Sequence, residues 1–358
     1  MEGTEGRRID VCDAVVVGAG IVGAAIAARL AYAGRQVAVL DAQKVAAGAT
    51  GRSAGMVIAG LPGHYQWAVE TFGRERARAL WMLTVEGRKE LIDSATRLGV
   101  YLQQPGSLAL AVNEQERDVL QASAELLRED GFDVWFGLTD PLERGFLAAL
   151  RQPGDAVVDA AELAQALLRS APIAVHSDTE VYDLEPEGDM VRVWAQGRTV
   201  RTALVVLAVD GYAPLLDRSL ARWVAPGRTL LIGTEPLPKG TLPTPCYADH
   251  GYEYACSLPD GRLLLGAWRR PRSETDQTDT DESLRDGLAR FVERYFPEVQ
   301  EHVASRRSGL VGFTPDGLPI LGWLPRLPRV AFAVGFGGWG LAWAFVAARQ
   351  LVAWVLHG

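Results

Sequence analysis

The chain has 358 residues and a formal net charge of −8. An acidic balance offers no basic face to nucleic acid or to an anionic membrane, so both are disfavoured as partners and a small-molecule substrate is expected. A hydrophobic share of 48% against 22% charged excludes a disordered chain and leaves room for two or three units, or for one large α/β domain with an inserted lobe.

The first ten residues are polar and contain no apolar stretch, so no signal peptide is expected. Cys12, Cys246 and Cys256 are odd in number and lack CxxC spacing, which points to a reducing, cytoplasmic setting and away from a disulfide framework. Residues 14–17 form a short apolar strand. A helix opens at Gly18, runs to about Tyr32 and ends at Gly34, and residues 36–40 form a second apolar strand. These lengths suit a βαβ unit of a parallel sheet. Residues 74–98 form an amphipathic helix closed by Gly99, residues 107–112 a strand, residues 114–130 a helix closed by Gly131, and residues 159–170 another helix. Alternating strands follow at 174–175, 179–184, 191–195 and 203–209, leading into Asp210-Gly211-Tyr212. Residues 229–234, 251–257 and 262–267 read as antiparallel strands, the last two joined by the turn Pro259-Asp260-Gly261. A polar loop at 275–280 precedes a helix at 282–295. Residues 330–348 are an uncharged run of 19 residues, about the length that crosses a bilayer. Gly335, Gly337, Gly338 and Gly340 cluster inside it, so a strand, a tight turn and a helix from about Leu341 are expected in place of a membrane span.

Strands of one sheet thus fall at the start, middle and end of the chain. The expectation is an α/β fold. A discontinuous Rossmann-type nucleotide domain takes residues 1–65, 150–215 and 305–358. A second, substrate-binding lobe built on an antiparallel sheet takes residues 66–149 and 216–304.

Residues 15–40 read VVVGAGIVGAAIAARLAYAGRQVAVL and contain Gly18-Ala19-Gly20-Ile21-Val22-Gly23 between a strand and a helix. Asp41 follows the second strand, 18 residues after Gly23. A bare GxGxxG is weak evidence, but here strand, helix, second strand and terminal acid are all in place. Gly18 permits the tight turn, Gly20 lets backbone approach a pyrophosphate, and Gly23 lets helix and strand pack closely. The helix N-terminus supplies N–H groups and partial positive charge to the phosphates. Asp41 can accept from the ribose hydroxyls and would repel a 2′-phosphate, which disfavours NADP; FAD and NAD both fit. Residues 48–56 (GATGRSAGM) are small enough to admit a bulkier part of the ligand, with Arg52 placed for a phosphate or a ring oxygen. The glycine turn at 335–340 is a poor NAD site because a ribose acid about 20 residues on would fall beyond Gly358. It suits the electron-rich edge of a flavin better.

Together with residues 312–322 (GFTPDGLPILG) and 334–344 (VGFGGWGLAWA), these segments resemble the D-amino-acid oxidase-type (DAO) family of FAD-dependent oxidoreductases along almost the whole chain. That family includes glycine oxidase, sarcosine oxidase, D-amino-acid oxidase and dehydrogenase, and γ-glutamylputrescine oxidase-like amine oxidases. Residues 207–216 and 230–238 look most like the amine-oxidase branch. The resemblance implies FAD contacts at Gly18, Gly20, Ile21, Val22, Gly23, Asp41, Thr50, Arg52, Ser53, Ala54, Gly55 and Met56. It also implies a backbone contact from Val181 to adenine and a flavin-facing turn at Gly338, Trp339, Gly340 and Leu341. Two departures stand out. The arginine that clamps a substrate carboxylate in many relatives is replaced by Val311, which puts simple α-amino acids in doubt unless Arg52, Arg269 or Arg307 compensates. The cysteine that tethers FAD in monomeric sarcosine oxidase is replaced by Gly309, which implies non-covalent FAD.

The resemblance further implies hydride transfer from the carbon beside a neutral amine to flavin N5, giving an imine that water hydrolyses. The cofactor supplies the hard chemistry, so no dedicated acid–base pair is required. Tyr254 and Arg52 are the catalytic candidates. Tyr252, Tyr254, Trp268, Met56 and Trp339 are the substrate-binding candidates, with each aromatic equally readable as packing. Trp268, Trp323, Trp339 and Trp343 fall near pocket segments and suggest an apolar or cyclic amine. No metal site is expected, and Asp210 and His250 read as structural. The expected activity is an FAD-dependent amine or amino-acid oxidase releasing peroxide. A dehydrogenase subunit passing electrons to a partner or quinone, a non-catalytic flavin-binding subunit and a homo-oligomer are the alternatives left open.

Overall fold

The computed structural model describes residues 9–268 and 280–357. Strand Ile9–Val17 lies inside an eight-stranded sheet, parallel to Val37–Leu40 on one side and to Arg198–Leu207 on the other. The register places Val16 opposite Val39 and Val206. Val37–Leu40 pairs in parallel with Ile173–His176. Arg198–Leu207 pairs in parallel with Leu327–Val334 near its end and antiparallel with Met190–Ala195 near its start. Strands of this kind are apolar on both faces because both faces are covered. Side-chain alternation divides them between two cores: Val16 and Val39 pack with the helices, whereas Val15, Val17 and Leu40 face the opposite cluster. The first strand is longer than the apolar pattern suggested. Residues before Ala14 pair with positions 199–202, a distant register that local alternation does not reveal.

Helix Ile21–Tyr32 packs against Ala160–Arg169 and against the closing helix Gly340–His357. The closing helix also crosses Arg74–Arg97, so closely that a Cβ on Gly87 would sit 2.0 Å from the Ala342 carbonyl oxygen. Glu90 joins the three helices by pairing with both Arg29 and Arg349. The long apolar run resolves into strand Leu327–Val334, a short 3-10 turn at Gly337–Trp339 and this helix, as its glycines indicated. Among the described residues, Gly337–His357 is the one helical stretch long and apolar enough to cross a bilayer, and half of its most apolar window is buried in the fold.

The second large sheet runs in the order Val303–Phe313, Ala225–Pro236, Arg262–Trp268, Glu253–Ser257, Cys246–Ala248, Ser107–Leu110, Ala149–Gln152 and Trp135–Gly137. It is antiparallel except where Cys246–Ala248 meets Ser107–Leu110. The hairpin at Pro259-Asp260-Gly261 forms as expected, with Gly261 at a φ of 86°. A three-stranded sheet of Met56–Val57, Ala156–Val158 and Leu102–Gln103 bridges the two. Several of these strands are two to four residues long and too short to show a period. Val303–Phe313 escaped notice because Ser305, Arg306, Arg307 and Ser308 interrupt its apolar pattern. Helix His64–Phe72 lacks an N-cap side chain and starts from left-handed backbone at Gly63 and His64. We propose that the chain divides into the two lobes drawn from its sequence, with Val303–Phe313 carrying the chain from the second sheet back to the parallel one.

Candidate active site

A cavity of about 620 Å³ opens at the C-terminal ends of the parallel strands and continues to the second sheet. Such strand ends are where open α/β sheets bind ligands. Gly18, Gly20, Ile21 and Val22 line it; Gly23 does not. Gly18 has a φ of 105°, and its Cβ would sit 2.5 Å from the Ala208 carbonyl oxygen. A Cβ on Gly23 would sit 1.9 Å from the Gly18 carbonyl oxygen, so Gly23 serves close packing. The Thr50 hydroxyl accepts from the Ile21 N–H at 3.0 Å and so caps the helix beside this turn. Asp41 reaches back across the turn. Its Oδ2 accepts from the Ala19 N–H at 2.6 Å and its Oδ1 from the Gln43 N–H at 2.8 Å. Burial raises the Asp41 carboxyl above its ordinary pKa while these two bonds pull the other way. Each oxygen keeps a second lone pair for a ligand hydroxyl.

Thr50, Arg52, Ser53, Ala54, Gly55 and Met56 also line the cavity. The segment is clamped from two sides: the Val158 N–H donates to the Gly55 carbonyl at 2.9 Å, and the Cys256 thiol donates to the Ala54 carbonyl at 3.3 Å. Gly55 has a φ of 73°, and a Cβ there would lie 2.0 Å from the Val158 carbonyl oxygen. Arg52 is turned onto the second sheet, where its Nη1 donates to the Ser308 carbonyl at 2.9 Å. Val181 lines the far end beside Glu180.

The closing turn contributes Gly337, Gly338, Trp339, Gly340 and Leu341. Asp210 fixes it. This residue is left-handed, with a φ of 46°, and its Oδ1 accepts from the Gly335 and Phe336 N–H groups at 2.8 and 3.1 Å. Its Oδ2 accepts from the Gly312 N–H at 2.6 Å, so one carboxylate ties the closing turn to the second sheet. Burial raises its pKa against those donors. The structural reading of Asp210 thus has a physical content that its sequence position did not reveal.

The opposite wall is aromatic. Tyr254 sits across from Tyr247 on one neighbouring strand and from Gly266 on the other. Its ring lies over Gly266, where a Cβ would come within 2.2 Å of Cζ. Trp268 stacks on Phe313 with centroids 5.4 Å apart and covers Gly338. Val311 packs with Trp268 and Phe313 in a small apolar cluster. Burial holds the phenols of Tyr247 and Tyr254 well above the ordinary tyrosine range. Tyr247 went unnoticed because Cys246–Ala248 is too short to show alternation; its ring meets Trp339 edge-on at 5.6 Å, and its hydroxyl accepts from Gln152 Nε2 at 3.3 Å.

Two expectations need correction: Tyr252 does not line the main cavity, and neither do Trp323 and Trp343. Tyr252 directly precedes strand Glu253–Ser257, after a turn in which Asp249, His250 and Gly251 are all left-handed, and its carbonyl accepts from the Trp268 N–H at 3.0 Å, so it packs with Tyr254 against Trp268, Val311 and Phe313. It lines a small recess that shares Trp268, Gly337 and Gly338 with the cavity, and it buttresses Trp268 at 4.9 Å. Trp323 packs on Trp354 at 5.8 Å, and Trp343 is buried among the helices; neither lines the cavity. Arg307 is exposed, Arg269 lies outside the described residues, and Arg52 is the one cationic side chain among the described residues that line the cavity.

Residues 13–354 match the family profile described as DAO, FAD dependent oxidoreductase. Glycine oxidase of Geobacillus kaustophilus is 28% identical over 341 residues, covering 90% of this chain and 87% of that protein. D-amino acid dehydrogenase of Methylobacterium radiotolerans is 26% identical over 402 residues, covering 92% of each. The crystal structure of glycine oxidase from Geobacillus kaustophilus shares the fold with a TM-score of 0.78, at 24% identity over 97% of this chain and 95% of that one. The chain belongs to the DAO family of FAD-dependent oxidoreductases.

Proposed function

We propose that the cavity holds one FAD without a covalent bond and oxidises the C–N bond of an amine whose reacting end rests on the aromatic wall. The observation that carries this reading is a single cavity running from Asp41 to Tyr254 and Trp268 with the closing glycine turn beside it. The glycines fit the cofactor: side chains at Gly18 and Gly55 would collide with backbone at the cavity wall. The N–H groups of the first helical turn hold the diphosphate, Asp41 the ribose, and Val181 the adenine. The turn at Gly338, Trp339, Gly340 and Leu341 faces the flavin. Bound FAD supplies a hydride acceptor at N5, leaving an imine that water hydrolyses.

The chain's own residues orient the amine and exclude water. Tyr254 and Tyr247 stay neutral, and Asp210 is saturated by backbone N–H groups, so no side chain of this wall needs to take the substrate proton. The amine reacts as the free base. Because Arg52 is held on Ser308 and Val311 is apolar, an apolar or cyclic amine fits better than a simple α-amino acid.

An anaerobic screen of primary amines, secondary amines and both enantiomers of amino acids tests this. Apolar amines should bleach the flavin; bleaching by small acidic amino acids alone overturns the substrate assignment, and bleaching by nothing overturns the catalytic one. Oxygen uptake with peroxide release identifies an oxidase. Reduction of an artificial acceptor without oxygen uptake identifies a dehydrogenase, as the named activity of the Methylobacterium relative suggests. Acid denaturation should release all of the yellow chromophore.

A further inference from the structure

We propose that His64, Glu116 and His250 form a binding site for one divalent transition-metal cation of the zinc class. The three residues come from different places: the first turn of helix His64–Phe72, the first turn of helix Glu114–Glu129, and the turn before strand Glu253–Ser257. No spacing in the sequence links them. In the fold, one ligand atom from each lies within 4.8 Å of the other two. Two imidazoles and a carboxylate are a donor set that zinc accepts, with a fourth position left for water.

The spacing of the pair at the centre suits two ligands of one ion as well as it suits a hydrogen bond. His64 Nε2 lies 3.2 Å from Glu116 Oε1. A charge-assisted N–H···O⁻ bond is shorter, about 2.7–2.9 Å. Two ligands about 2.0–2.1 Å from a tetrahedral ion stand roughly 3.3 Å apart. Three atoms within 4.8 Å of one another would close to roughly 3.3 Å to share such an ion.

The surroundings are those of a held ligand. Glu116 is fully buried and His64 is 7% exposed. Glu116 Oε2 accepts from the Val112 N–H at 3.0 Å and Oε1 from the His250 N–H at 2.6 Å. These donors fix the carboxylate as outer-shell partners fix metal ligands. His64, Asp249 and His250 all adopt left-handed backbone, with φ of 70°, 50° and 58°. Non-glycine residues held in that region concentrate at functional sites.

An ion here would brace the substrate side of the cavity. Gly251, next to His250, lines the cavity, and a Cβ on it would meet the Trp339 ring at 3.3 Å. The inference does not depend on the substrate reading.

The test uses the flavin-loaded protein, dialysed against micromolar zinc and then against metal-free buffer. Elemental analysis should find about one zinc per chain, and X-ray absorption at the zinc edge should show imidazole ligands. His64→Asn and His250→Asn keep a residue that tolerates left-handed backbone, and Glu116→Gln keeps the shape of the carboxylate. Each should lose the stoichiometric zinc while retaining its flavin. Free zinc about a hundredfold above Kd should raise the melting temperature of the native protein by about 3–5 °C and leave the three variants unmoved. Native protein that retains under about a tenth of an equivalent overturns the proposal, as does retention by the flavin-loaded variants equal to that of the native protein.

Discussion

The two ends of the cavity are encoded in different ways. The nucleotide end is built from one stretch of chain: Gly18, Gly20, Gly23 and Asp41 lie within a single βαβ unit, and their spacing alone carries the geometry. The aromatic end draws Tyr247, Tyr254, Trp268, Val311 and Trp339 from five separate segments, brought together by sheet register and by the closing turn. The first end tolerates almost no substitution because backbone meets backbone there. The second is built of side chains that pack on one another and, at Gly266 and Gly338, on glycine backbone. Substitutions at each end test that contrast.

The largest effect is expected at the first turn. Gly23→Val forces carbon onto the Gly18 carbonyl oxygen, a clash that only separation of helix and strand relieves. Overpacking costs about 1–3 kcal/mol of stability and at times more, and the displaced turn should bind FAD about a hundredfold more weakly if the chain folds at all. Flavin absorbance per chain after purification and reconstitution checks it. A variant that binds FAD as the native protein does would remove the backbone argument for this end.

Asp41→Ala should cost less. It leaves the Ala19 and Gln43 N–H groups without their acceptor and removes the carboxylate proposed to hold the ribose. Hydrogen bonds to a charged group are worth about 1.5–3 kcal/mol, so FAD should bind about 10- to 100-fold more weakly, by titration of the apoprotein. Asp41→Asn should fall between Ala and the native residue, because its one oxygen can satisfy only part of this set.

The contrast also explains what could be read from the sequence. Gly18 to Asp41, the small segment at 48–56 and the strand–turn–helix at 330–348 are local patterns with a fixed physical reason, and the cavity lining includes every cofactor contact expected in them except Gly23. Gly23 is absent from that lining for the reason its spacing gives, namely packing. Tyr247 and the histidines at 64 and 250 depend on contacts between segments far apart in sequence. Asp210 was visible as a residue but not as a knot, since its three partners are backbone groups over a hundred positions away.

At the aromatic end, Val311→Arg should alter preference and spare the fold. The added guanidinium would lie beside Trp268 and Phe313, where a substrate carboxylate could pair with it. The kcat/KM for an α-amino acid should rise about tenfold or more relative to that for the matched decarboxylated amine, corresponding to about 1.4 kcal/mol. An unchanged ratio with FAD fully bound would mean that the carboxylate end of a substrate never reaches Val311.

The smallest effect is expected at Tyr254, and its value lies in the pH dependence. Burial raises the phenol above its ordinary range, and a raised acid keeps its proton as the pH increases. Tyr254 therefore stays neutral beyond pH about 10, where an exposed tyrosine would ionise. The rate of flavin reduction should climb with pH as the substrate amine loses its proton and should show no falling limb from this residue below that value. Tyr254→Phe should lower kcat/KM by less than about tenfold, the worth of one hydrogen bond. It should leave the profile in place, and replacing the amine by one of different basicity should move it. A limb that disappears in Tyr254→Phe would make the phenol an acid–base group and the wall a participant in proton transfer; a limb that follows the amine confines the wall to shape and exclusion of water.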